Sequence, residues 1–312
     1  MERGMIFRTK KENINSFIEK NEGVCIVYGA TVWGELFASE DICKVDYFCD
    51  KKAKEIQSLR GIPVVGSDQL EGLIKESGKR ALIIVCVGTN KETVGSIYRD
   101  LVKLKIEADI FDYFENAYVF AEDSFEMNQK KYMLYEHSYN CGYADSRMTE
   151  RCVELALAKI YIETCKGDIT EVGAVTPYYF EEEKVKDIID PTDVHVRVNY
   201  KKSLFDCDLR GKNVLSISTV EHIGLGDYGL AENWNVIDAI EKIVNESKTC
   251  MITAPLGYNE MLDEWVRNNT SNFMIKILKR GINNHWVEMK TKEFEKLIYT
   301  PLWANGVVII EK

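Results

Sequence analysis

The sequence predicts an α/β protein of two domains, each built on a mostly parallel sheet. Short apolar runs such as 24–28, 81–87 and 213–218 alternate with amphipathic stretches of helical period, the rhythm of βαβ units. One such run in each half ends in a glycine turn, Gly29-Ala30-Thr31 and Glu171-Val172-Gly173. At 312 residues, either half is long enough to bury its own core.

In order along the chain, Ile14, Phe17 and Ile18 place an amphipathic helix over 10–20. Residues 24–28 form a strand, the glycine turn follows, and 35–39 continue as a short helix. A second strand, 45–49, ends at Asp50. Residues 61–65 read as a turn and short strand, with Asp68 as the N-cap of a helix running to 75. The buried strand 81–87 ends in Gly88-Thr89-Asn90, before a helix at 91–103 and a strand at 109–111. Residues 115–136 lose this rhythm. The domains are therefore drawn as 1–122 and 137–312, with 123–136 as linker. In the second domain a long helix spans 145–164. Strands follow at 168–173, 186–190, 194–199, 213–218 and 249–254, with helices at 231–247 and 258–268. Closing strands lie at 273–278 and 307–310, with His285-Trp286 in a loop between them.

Composition narrows the function classes. A formal net charge of −10 argues against a phosphate-backbone binder, so no nucleic-acid partner is expected. The longest clean apolar run, 81–87, is far below the ~18 residues of a membrane span. The start MERGMIFRTKKEN carries charges but no apolar core of a signal peptide. Nine cysteines without a CxxC pair read as reduced thiols of a cytoplasmic protein, with no metal site.

In the first domain, Gly29 permits a tight turn, Gly34 allows close helix–strand packing, and Asp50 stands 21 residues beyond Gly29, where an acid can hold a ribose diol. Thr31 replaces the middle glycine of a dinucleotide fingerprint. Gly88 closes the neighbouring strand. Gly29, Thr31, Gly34, Asp50 and Gly88 are the candidate nucleotide site, and a turn retained only for packing is the alternative. The segments VYGATVWGELF, YFCDKK and RGIPVVGSDQL, within 23–115, resemble the Rossmann-like N-terminal domain of bacterial surface-sugar enzymes. That resemblance implies assembly or nucleotide-sugar binding, and polysaccharide biosynthesis as the setting.

The second domain has its most informative stretch at 213–224, NVLSISTVEHIG, an apolar strand that ends in Ser218, Thr219, Glu221, His222 and Gly224. With Glu171-Val172-Gly173, Asp187-Ile188-Ile189-Asp190, Thr253-Ala-Pro-Leu-Gly-Tyr-Asn259 and Asn305-Gly-Val-Val-Ile-Ile310, it forms an ordered set that resembles class I S-adenosylmethionine (SAM)-dependent methyltransferases over 137–312. The resemblance implies a mostly parallel sheet with an antiparallel last strand. It also implies SAM as cofactor, held by Glu171, Gly173, Ala174, Asp190, Ser218 and Thr219. Asp206 and Asp208, or alternatively Asn199, are the candidates for adenine. The usual E-x-G-x-G-x-G has become Glu171-Val-Gly-Ala-Val-Thr-Pro177, with one glycine retained.

Methyl transfer requires alignment of acceptor and methyl group and removal of a proton. His222 suits the base, and Glu221 would orient it or face the SAM side, since neighbours on an extended segment point in opposite directions. The alternative for His222 is a structural hydrogen bond. Tyr139, Tyr143 and Arg147 before the long helix, and Tyr258 and Asn259 after the fifth strand, are the substrate-binding candidates, with helix capping the alternative for Asn259. Arg151 and Glu154, at i and i+3, can pair with each other. The expectation is a methyltransferase acting on a sugar, nucleotide-sugar or related small metabolite. The alternatives are a non-catalytic nucleotide-binding scaffold and an NAD-linked oxidoreductase. Rossmann-like sheets often pair, so a homo-oligomer is compatible with the sequence.

Overall fold

The computed structural model describes residues 4–8, 18, 23–39, 43–88, 90–113, 123–137, 149–229, 233–268, 274–280, 285–289, 294, 297–300 and 303–312. The helix expected over 10–20 and the candidates Tyr139, Tyr143 and Arg147 lie outside these residues, apart from buried Ile18. The chain divides into two compact units, 1–122 with 281–285, and 123–280 with 286–312. Both are α/β.

Unit 1 holds β1 (Ile6–Phe7), β2 (Cys25–Tyr28), β3 (Tyr47–Cys49), β4 (Ser58–Leu59), β5 (Ile62–Val65), β6 (Ala81–Val85) and β7 (Ala108–Asp112). Its helices are α1 (Val32–Ser39), α2 (Ala53–Ile56), α3 (Leu70–Ser77) and α4 (Lys91–Leu101). The sheet order is β1-β7-β6-β2-β3-β5-β4, parallel throughout except for the β4–β5 pair. β2 and β6 are buried along their whole length, which is why they read as unbroken apolar runs. Asn90 caps α4 by accepting the Thr93 N–H at 3.0 Å. Asp68 is not an N-cap: it lies inside a 3-10 turn, Ser67–Gln69, and Gln69 Oε1 instead accepts the Gly66 N–H.

Unit 2 holds the hairpin β8 (Ser124–Met127) and β9 (Lys130–Met133), then β10 (Ile169–Val172), β11 (Val185–Ile189), β12 (Asn213–Ile217), β13 (Thr249–Pro255), β14 (Met274–Arg280), β15 (Trp286–Glu288), the small β16 (Tyr299–Thr300) and β17 (Trp303–Ala304) pair, and β18 (Gly306–Glu311). Its helices are α5 (Arg151–Thr164), α6 (Val236–Glu246) and α7 (Glu260–Asn268). The nine-stranded order is β11-β10-β12-β13-β18-β14-β15-β8-β9. β11, β10, β12 and β13 run parallel, and β18 inserts antiparallel between β13 and β14. The far side of the sheet is mixed. Successive residues of β12, β13 and β18 alternate between two cores. Val214, Ile252, Val308 and Ile310 pack with α6 and α7, while Leu215, Met251, Val307 and Ile309 pack with α5.

Three expectations are corrected. Residues 123–136 are no linker, because β8 and β9 extend the second sheet and Phe125 is fully buried opposite Trp286. Trp286 is not in a loop: it lies on β15 and is itself fully buried. Residues 194–199 form no strand. Val194 and Val196 are 82% and 94% exposed and only Val198 is buried, so the alternation does not present a continuous face to the core. A single bridge between Ile189 and Tyr200 remains, and the Asn199 side chain takes the place of a strand by accepting from Ile188 N–H and donating to the Lys186 carbonyl.

In both sheets the chain leaves one strand for a neighbour on one side and later returns on the other, at β2/β6 and at β10/β12. The carboxyl ends there are the switch points where α/β sheets take ligands. Truncating Trp286→Ala is expected to destabilise unit 2 by about 3–5 kcal/mol, measured as a lower urea midpoint by tryptophan-independent circular dichroism.

Candidate functional site

The turn after β10 is shaped by two carboxylates. Gly173 adopts φ +86, in the left-handed region, and its N–H donates to the Ile189 carbonyl at 2.9 Å. The next N–H, Ala174, donates to Asp190 Oδ2 at 3.2 Å. Asp190 Oδ1 accepts the N–H groups of Thr192 and Asp193. Beneath the turn, fully buried Glu171 accepts Val175 N–H at 3.1 Å and Thr176 N–H at 2.8 Å, as well as the Thr176 hydroxyl. Burial pushes the Glu171 carboxyl up to about 7.

Unit 1 repeats the outer part of this network. Gly29, at φ +120, donates to the Cys49 carbonyl at 2.8 Å, Ala30 N–H donates to Asp50 Oδ2 at 3.0 Å, and Asp50 Oδ1 accepts Lys52 N–H. Thr31 donates through Oγ1 to the Cys86 carbonyl at 3.3 Å, a Cβ at Gly34 would lie 2.1 Å from the Gly29 carbonyl oxygen, and Gly88 packs against the Trp33 indole. Thus Asp50 pins the first turn as Asp190 pins the second.

A cavity of about 190 Å³ opens at the carboxyl ends of β10, β11 and β12. One water needs roughly 10–15 Å³ of such space, so the cavity admits an organic ligand. Its apolar lining comes from Val172, Ile189, Leu204, Phe205 and Ile223. Gly173, Ala174, Asp190, Asp193, Ser218 and Thr219 form the polar rim. His222, Asp227 and Tyr228 stand at its far side.

The strand β12 is followed directly by Ser218, a non-glycine residue at φ +39 whose hydroxyl donates to Glu154 at 2.7 Å. Such backbone strain is characteristic of functional sites. A 3-10 turn, Val220–His222, follows. The turn overturns the expectation that Glu221 and His222 face opposite ways: His222 Nε2 lies 3.7 Å from Glu221 Oε1. His222 Nδ1 is 2.7 Å from Asp227 Oδ2 and 3.1 Å from the Tyr258 hydroxyl, which itself donates to Asp227. These bonds, from Tyr258 first and then from His222, hold the Asp227 carboxyl below its usual range. With Nδ1–H directed at Asp227, the Nε2 lone pair is left for chemistry.

Glu171, Asn199, Asp206, Asp208, Glu221, Tyr258 and Asn259 are not among the residues lining the cavity. Glu171 is engaged by its own turn, and Asn199 is hydrogen-bonded to β11. Asp206 lies in a 3-10 turn, and Asp208 is exposed and paired with Arg210 at 2.8 Å. Asn259 is 3% exposed, caps α7 through Met261 N–H and donates to the Glu221 carbonyl, so it supports the site from beneath. Tyr258 acts through Asp227. Sequence reasoning missed Asp227 and the depth of Glu154. The visible signals were an acid in the glycine-rich run Gly224-Leu-Gly226-Asp227-Tyr-Gly229, and one carboxylate within the apolar run Val153-Glu154-Leu155-Ala156.

Comparison with models of protein families, with characterised proteins and with solved structures finds no match for this chain.

The folded state favours the protonated Glu171 carboxyl. Its contribution is therefore fully present below pH ~4.5 and is lost as the pH rises through about 7. Glu171→Gln escapes that loss. Between about pH 5 and about pH 8 it should gain on the order of 2 kcal/mol on the wild type, read from urea unfolding at the two pH values.

Proposed function

We propose that unit 2 is a SAM-dependent methyltransferase for a small polar metabolite. The observation that carries this reading is a His222–Asp227 pair at one end of a cavity whose other end is apolar and acid-rimmed, at the switch point of the sheet. The antiparallel β18 between β13 and β14 agrees with the resemblance noted in the sequence. A sugar or nucleotide-sugar acceptor, and a place in surface-polysaccharide synthesis, follow from the resemblance of the N-terminal segment. An assembly or nucleotide-sugar role for unit 1 rests on the same ground.

The lining fits SAM. Leu204, Phe205 and Ile223 offer an apolar slot for a purine, and Phe205 is braced by stacking on Trp234 at 4.5 Å. Asp190 and Asp193 are acceptors for ribose hydroxyls. When bound, SAM supplies an electrophilic methyl on a sulfonium whose C–S bond breaks as the acceptor's lone pair forms the new bond, leaving a thioether. His222 Nε2 takes the acceptor's proton. Asp227, steadied by Tyr258, fixes the imidazole tautomer and offsets the charge that forms on it.

A second reading, a nucleotide-binding scaffold without catalysis, draws on Gly173. A Cβ there would meet the Thr219 hydroxyl at 2.0 Å, so this glycine makes room for Thr219. An NAD-linked reading of unit 1 gains little, because Thr31 stands where a dinucleotide fingerprint has its middle glycine.

Isothermal titration with SAM and S-adenosylhomocysteine decides between these readings; binding of neither would remove the enzyme. In a methyl-transfer assay His222→Ala should lower kcat by about 10²–10⁴-fold with SAM affinity nearly unchanged, and Asp227→Asn should lower kcat less.

A further inference from the structure

At the opposite end of β2 from Gly29, unit 1 brings two thiols into contact. Cys25 opens β2, is 3% exposed, and is held by the parallel ladder opposite Leu82 on β6. Cys43 lies in the bend ahead of β3 and is half-buried. Their sulfurs are 3.1 Å apart, and both are free thiols. The backbone around them is already fastened. The Cys25 N–H donates to Asp46 Oδ2 at 3.0 Å, and the Asp46 N–H donates to the Cys25 carbonyl at 2.9 Å. A disulfide bond is about 2 Å long, so closure asks for a further approach of about 1 Å. Cys43 stands outside any helix or strand, so the movement falls on it rather than on the ladder.

The two thiols are not equivalent. The Cys25 thiol donates its hydrogen bond to Cys43 and so holds the Cys43 thiol below its usual range. The same contact, and then burial, push Cys25 well above that range. Cys43 therefore carries the thiolate and is the one that solvent reaches, with Cys25 directly behind it. That is the order of an attacking and a resolving cysteine.

We propose that Cys25 and Cys43 are a dithiol redox site, oxidised in place by a small-molecule disulfide of the glutathione class. The Cys43 thiolate attacks one sulfur of the oxidant, whose S–S bond breaks and releases a first thiolate. Cys25 gives its proton to that thiolate, attacks Cys43 Sγ and expels the second thiolate, which takes up the proton lost earlier by Cys43. The two protein thiols lose two electrons, and the oxidant disulfide becomes two thiols. The new bond closes a ring that contains the glycine turn at Gly29 and the helix α1, and it ties the approach to β3 onto β2. This assignment is independent of the methyltransferase reading, which concerns unit 2.

Trypsin makes the test direct. After Lys20 the next Lys or Arg is Lys44, so both cysteines leave in the single peptide 21–44. The full chain is incubated with oxidised glutathione, its remaining thiols are alkylated in urea, and the peptide is weighed without reduction. It should be two hydrogens lighter than its reduced form and carry no alkyl group, and dithiothreitol should restore two alkylation sites. Cys43→Ser should leave Cys25 free of glutathione, while Cys25→Ser should stop at a glutathione adduct on Cys43. The oxidised wild type should unfold at a higher urea concentration than the reduced protein, because the ring restrains the unfolded chain, and Cys43→Ser should lose this rise. A wild-type peptide 21–44 that stays doubly alkylated, or that ends as a glutathione adduct, overturns the proposal. So does a disulfide that forms only when the oxidant is added to the unfolded chain.

Discussion

Each sheet depends on one constraint, an aspartate that holds a glycine turn by its backbone. Asp50 and Asp190 each close the strand beside the turn, and each receives the N–H of the alanine after the glycine. Gly29 and Gly173 meanwhile donate to the carbonyl that precedes the aspartate. The turn is thereby tied to the neighbouring strand rather than to its own helix. In unit 2 this tie sets the mouth of the cavity, and Glu171 supports it from below through Val175 and Thr176. Buried backbone N–H groups require partners, and here side-chain carboxylates supply them.

The same economy of polar groups explains the rest of unit 2. Ser218 and Thr253 lie at the ends of adjacent strands and share Glu154, so α5 is locked onto β12 and β13 by a buried acid as well as by apolar packing. Asn259 joins the start of α7 to the Glu221 carbonyl. Asp227 is brought back to His222 by a loop whose glycines 224, 226 and 229 all have positive φ. Every polar contact around His222 thus has a structural partner beyond it, which holds the imidazole still. Glu221 Oε2 is the exception, buried without a hydrogen-bond partner.

Much of the fold was legible because fully buried parallel strands leave unbroken apolar runs. β2, β6, β12 and β13 were readable for that reason. The hairpin β8–β9 and the short β15 were not, since their pairing is non-local and their exposed positions dilute the pattern. The stretch 194–199 misled in the opposite direction: two of its alternating valines, Val194 and Val196, face water, and only Val198 is buried. In the site, Gly173, Ala174, Asp190, Ser218, Thr219 and His222 were found because all lie at strand ends, which sequence can locate. Glu171, Asn199 and Asp208 had the right neighbours in sequence, but their side chains are used elsewhere, and Asp206 lies in a 3-10 turn away from the cavity lining.

The sequence by itself determined the strands, their βα alternation and the glycine turns at their ends, because these follow from local period and backbone freedom. It also determined that an acid and a histidine arrive together after β12. Only the tertiary structure decided that a 3-10 turn brings the two side chains together, that Asp227 returns to orient the histidine, and that Glu221 Oε2 is left without a hydrogen-bond partner. Those outcomes depend on which distant groups occupy the space around a side chain. Hydrogen-bond satisfaction and burial are properties of that space, and no local pattern encodes them.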